Sequence, residues 1–82
     1  MYELLFSHNA RKQFLKLEKQ VQERIVSVLE RIRIRPEAHV TKLVGDPAFK
    51  LRVGDYRILV DIDQGKLLIL VIKIGHRRNI YD

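Results

Sequence analysis

The sequence predicts an α+β fold in the order β-α-α-β-β-β, one domain over residues 1–82. Three observations carry this. A short aromatic and apolar run opens the chain. Two segments then repeat apolar residues at helical spacing. Three runs with strand patterning follow, divided by turn dipeptides.

The opening run, residues 2–6, reads as a strand, and Ser7 is placed to cap the helix after it. Over residues 8–17, Ala10, Phe14 and Leu17 recur on one helical face. Over residues 20–34, Val21, Ile25, Val28, Leu29 and Ile32 form a second stripe, with Glu23, Arg24, Glu30 and Arg31 elsewhere on the cylinder. The break falls near Glu18-Lys19, and Pro36 closes the second helix, since the residue before a proline disfavours helix. Arg31, Arg33 and Arg35 suit the negative end of that helix dipole.

A loop is expected over residues 36–48. Phe49–Val53 then alternates apolar and basic residues, and Gly54-Asp55 turns the chain. Tyr56–Asp63 resumes as a strand, and Gln64-Gly65 makes the next turn. Residues 66–74 form a third strand, apolar on both faces as an interior strand should be, and Gly75 is expected to break it. The basic tail "HRRNIYD" ends the chain.

Sixteen Lys and Arg against ten Asp and Glu give a formal charge of +6, which points to a polyanionic partner. With no cysteine, disulfides and thiolate metal sites are excluded. The start "MYELLFSHNARK" lacks a basic n-region and a long apolar run. The longest apolar run, residues 67–72, is far below the roughly 20 residues that span a bilayer. A cytoplasmic protein without membrane contact is expected.

The charge also has a direction. Side chains alternate along a strand. Phe49, Leu51 and Val53 share one face with Tyr56, Ile58, Val60 and Ile62, which the helices must cover. Lys50, Arg52 and Arg57 then emerge together on the other face, with Leu59 and Asp61. Lys73 is placed to join them, and Arg77 and Arg78 follow just beyond. Fixed guanidinium groups suit the charge that builds on a phosphodiester during attack at phosphorus. A lysine desolvated among cations can act as a base. An aromatic such as Tyr81 can stack on an RNA base. With RNA the nucleophile is the 2′-OH, and no carboxylate–histidine cluster stands at metal-ligand spacing, so neither metal nor cofactor is expected. The plainer readings are a solvated sheet face, an Arg57–Asp61 ion pair, a packing role for His76 and Tyr81, and surface positions for His8 and His39.

"FKLRVGDYRILVDID" followed by "LLILVIKIGHRRNIYD" resembles the RelE/ParE toxin superfamily of toxin–antitoxin systems over essentially the whole chain. The resemblance implies a twisted antiparallel sheet with a helical hairpin on one side. It implies a toxin that enters the ribosomal A site and cuts mRNA through its 2′-OH, silenced by a cognate RelB-like antitoxin. Carried over by position, Lys50, Arg57, Arg77 and Tyr81 would be catalytic and Arg52 would bind RNA; the charge pattern adds Lys73 and Arg78 to the expected RNA-binding set. RelE-type enzymes carry a second lysine two residues before the position of Lys50; here it is Ala48. The alternatives are a ParE-like inhibitor of DNA gyrase and a degenerate toxin that only binds its antitoxin.

Overall fold

The structure, a computed structural model, describes residues 1–76. The elements are β1 (Glu3–Phe6), α1 (His8–Leu15), α2 (Lys19–Ile32), a 3₁₀ turn (Pro36–Ala38), β2 (Thr41–Lys42), β3 (Phe49–Val53), β4 (Tyr56–Asp63) and β5 (Leu68–His76). The α+β class and the order of the principal elements are as the sequence predicts. The strands form one sheet in the order β1-β5-β4-β3-β2.

Four strands pair antiparallel, but β1 joins β5 in parallel, Glu3 opposite Leu68 through Phe6 opposite Val71. The sheet is therefore mixed rather than wholly antiparallel. Two reversals separate β3 from β5, so those two run the same way, and β1 enters at the edge of β5 in that direction.

The element ends have local causes. Ser7 caps α1 by accepting from the Ala10 amide at 3.1 Å. The helix stops two residues before the expected end. Lys16 and Leu17 donate to Gln13 and Phe14, tightening the last turn, and the Gln22 side chain donates to the Phe14 carbonyl at 2.9 Å. The second helix also ends two residues early, at Ile32. Arg33 folds back, its Nε donating to the Tyr2 carbonyl at 2.7 Å while the Tyr2 amide donates to the Arg33 carbonyl at 2.8 Å. Arg33 also pairs with Glu30 at 2.7 Å. Within the expected loop, residues 36–48, lie the 3₁₀ turn and β2.

The hairpin between β3 and β4 turns at Gly54, whose φ of +58° is the left-handed value that glycine adopts freely. Glycine at the first turn position is the order favoured by a type II′ turn. Gly75 does not end β5. It pairs with Arg57, and the strand runs on to His76.

Between Leu59 and Val60 the register with β5 shifts. Leu59 faces Lys73 and Val60 faces Val71, so Ile72 is the extra residue of a β-bulge. The shift changes the phase of β5: Ile69 and Val71 are fully buried before it, and Ile74 is buried after it.

The helices cover one sheet face. Ile25, Leu29 and Ile32 of α2 and Ala10 of α1 are buried with Leu51, Val53, Ile58, Val60, Ile69, Val71 and Ile74. Each large aliphatic side chain buried this way contributes about 1.5–3 kcal/mol. Leu29→Ala removes a fully buried side chain and is expected to destabilise the fold by about 2–5 kcal/mol. In a domain of this size that lowers the thermal midpoint by about 10 °C or more. Calorimetry or circular dichroism reads it, and Val44→Ala, at an exposed position, is the control expected to show no such change.

Candidate nucleic-acid interface

The face opposite the helices holds the charge. Residues directly across a sheet share a face, so two rows can be read from the register. One row is Thr41, Lys50, Leu59 and Lys73. The next is Arg52, Arg57 and Gly75. Lys50 and Arg57 are half-buried; Arg52 and Lys73 are exposed. The four cations thus stand on one surface. Arg77, Arg78 and Tyr81 lie outside the described residues.

Arg52 and Arg57 sit directly opposite one another. Like charges in that relation raise the energy of a sheet by some tenths of a kcal/mol or more. An anion between two such guanidiniums reverses the sign, since each can donate two parallel hydrogen bonds to a phosphate. Gly75, next in the row, adds no side chain on the far flank of Arg57.

Lys50, Arg52 and Arg57 line a hollow of about 290 Å³ together with His39 and Thr41. His39 follows the 3₁₀ turn, and its amide donates to the Pro36 carbonyl at 3.0 Å. The sequence alone places His39 at the surface. It is exposed, but it stands on the wall of the cationic groove. Thr41 was missed with it, because a strand of two residues carries no periodicity. Pairing of β2 with β3 brings both in, Thr41 facing Lys50. A larger hollow, about 500 Å³, is lined by Glu37, Phe49, Asp61, Ile62, Asp63 and Gln64. Its carboxylates make it the wrong sign for a polyanion. Asp61 belongs to that hollow and Arg57 to the cationic one.

His76 lies on the other side of the sheet. It pairs with Tyr56, and the two rings meet edge to face at 5.4 Å and 77°. A packing role accords with that placement. Ala48 is buried. Its amide donates to the Asp46 carboxylate at 2.8 Å and its carbonyl accepts from Leu43 at 3.2 Å, which ties the loop to the start of β3. Among the described residues no group of three or more His, Cys, Asp or Glu is arranged to hold a metal, and no helix is long and apolar enough to cross a membrane.

The fold has known counterparts. The family model for the ParE toxin of type II toxin–antitoxin systems, parDE, matches residues 4–81. The chain belongs to the RelE/ParE toxin superfamily. It is 32% identical over 79 residues to the mRNA interferase toxin RelE of Escherichia coli K12, covering 93% of this chain and 83% of that one. The crystal structure of the intact E. coli RelBE toxin–antitoxin complex contains a chain that superposes with a TM-score of 0.79 at 32% identity, covering 93% of this chain and 96% of that chain. The RelBE2 complex of Mycobacterium tuberculosis superposes with a TM-score of 0.85 over 95% of this chain and 93% of that chain; at 23% identity it shows the shared fold.

Because Arg52 opposes another arginine, Arg52→Gln is expected to leave thermal stability unchanged or raise it by up to about 1 kcal/mol. The same variant is expected to lose much of the stabilisation that added inorganic phosphate gives the wild type. Thermal melts with and without phosphate check both. Loss of stability without phosphate would show that Arg52 serves the fold.

Proposed function

We propose that this chain is the toxin of a type II toxin–antitoxin system and that it acts as an endoribonuclease on mRNA at the ribosome. The curated relative of nearly full length is an mRNA interferase, and a solved relative at 32% identity is a toxin bound to its antitoxin. The observation that carries the reading is the opposed arginine pair flanked by Lys50 and Lys73 on an open face. Like charges set directly opposite one another cost the sheet energy, and a bound phosphate would offset that cost.

In the reaction, the 2′-OH of one nucleotide attacks the adjacent phosphorus. The P–O5′ bond breaks, giving a 2′,3′-cyclic phosphate and a 5′-OH end. Arg52 and Arg57 grip the nonbridging oxygens, where charge accumulates. Lys50, half-buried beside them, neutralises charge or receives the 2′-OH proton. Arg77 is assigned to the leaving oxygen and Tyr81 to stacking on the message, both from the family pattern. Lys73 and Arg78 hold the RNA backbone.

The partner is a RelB-like antitoxin. An acidic extended or helical segment would complement this surface. Acting on ribosomes places the toxin in the cytoplasm. No step in this scheme calls on a cofactor.

The matched family model is described for ParE toxins, which favours a second reading, inhibition of DNA gyrase without cutting nucleic acid. A supercoiling assay separates the two.

Primer extension on actively translated message tests the first reading. Codon-phased cuts are expected with the wild type. Arg57→Ala is expected to reduce them by about 100-fold or more, as loss of one preorganised charge donor does in other active sites. A 2′-deoxy nucleotide at the cut position is expected to abolish cleavage there. An absence of phased cuts with folded protein, or unchanged cutting by Arg57→Ala, would overturn it.

A further inference from the structure

We infer that Gln13 and Ser7, at the backbone edge of β5 beyond the end of β1, are positioning residues that hold Lys73 on the cationic face. The inference rests on the function proposed above and adds to it the device that sets one charge of the site.

Along β5, Ile69 and Val71 are fully buried. In an unbroken strand Lys73 would follow them toward the core. The bulge at Ile72 prevents this. It moves Lys73 opposite Leu59, on the open face, and returns Ile74 to the core. One inserted residue therefore decides whether a charge meets solvent or apolar packing.

The bulge is held from one side. β1 pairs with β5 only as far as Val71. Beyond that point α1 and its cap take over the exposed backbone edge. The Ser7 amide donates to the Val71 carbonyl at 2.8 Å. The Ser7 hydroxyl donates to the Ile72 carbonyl at 2.9 Å while accepting from the Ala10 amide. Gln13 Oε1 accepts from the Ile74 amide at 2.7 Å. These groups lie on both sides of the extra residue. Strand pairing alone does not satisfy this edge, and a part-buried amide left unmet would weaken the register that places it there. Ser7 also caps the helix, so its replacement would disturb two things at once. Gln13 gives the cleaner test.

The test uses the whole chain in single-turnover cleavage on programmed ribosomes, together with amide hydrogen exchange. Gln13→Met keeps the length of the side chain and removes the acceptor. The Ile74 amide is expected to exchange at least about tenfold faster in it, and cleavage to fall by about 10- to 100-fold, the same loss as Lys73→Ala. Gln13→Glu, which keeps an acceptor oxygen, is expected to restore most of both. On the Lys73→Ala background Gln13→Met is expected to cause no further loss, because both act through one ammonium group. Should Gln13→Met fail to fold, Gln13→Asn withdraws the acceptor by one methylene and serves in its place.

Unchanged exchange at Ile74 would overturn the clamp. Faster exchange with full cleavage, or losses that multiply in the double variant, would overturn the positioning role. If the wild type itself cuts no RNA, the proposed function fails with it. The exchange result then still decides whether Gln13 holds the bulge.

Discussion

The pairing of β3 with β4 is the constraint on which the site depends. Its register sets Leu51 against Ile58 on the inside and Arg52 against Arg57 on the outside. A slip of one residue would turn both sets over, placing guanidiniums under the helices and aliphatic groups in water. Burial of Leu51, Val53, Ile58 and Val60 therefore does more than stabilise the sheet. It fixes where the like charges stand, and the hydrophobic effect supplies the free energy that holds them close together.

That division of labour explains how a chain of 82 residues can support a charged site. The margin of stability in so small a domain is thin. Here the helices and the inner sheet face form one apolar layer, and repulsion is confined to the outer face, where water screens it. An incoming phosphate replaces that screening with direct hydrogen bonds. The surrounding residues keep the groove anion-selective: Thr41 and His39 line it without negative charge, while the carboxylates of Glu37, Asp61 and Asp63 surround a separate hollow.

Much of this was legible in the residues. Phe49–Val53 and Tyr56–Asp63 alternate cleanly and meet at a turn dipeptide, so their ends and faces follow from pattern alone. The apolar stripe of the second helix was equally plain. Other features depend on contacts between distant residues. The end of α1 is set by the Gln22 side chain on the Phe14 carbonyl, and the end of α2 by Arg33 meeting Tyr2. The parallel docking of β1 is a choice of partner that no local pattern records. Both faces of β5 are apolar and a bulge divides it, so no local pattern marks its phase. Gly75 looked like a stop signal, but its place opposite Arg57 made it part of the strand. His39 came into the site through a two-residue strand too short to announce itself.

The chemistry of the RNA ends after incubation with translating ribosomes tests the central claim most directly. If the cations on the open face grip a phosphodiester while its own 2′-OH attacks, the upstream fragment carries a 2′,3′-cyclic phosphate and the downstream fragment a 5′-OH. A 3′-OH upstream with a 5′-phosphate downstream would mean that an external nucleophile made the cut, and would contradict the account.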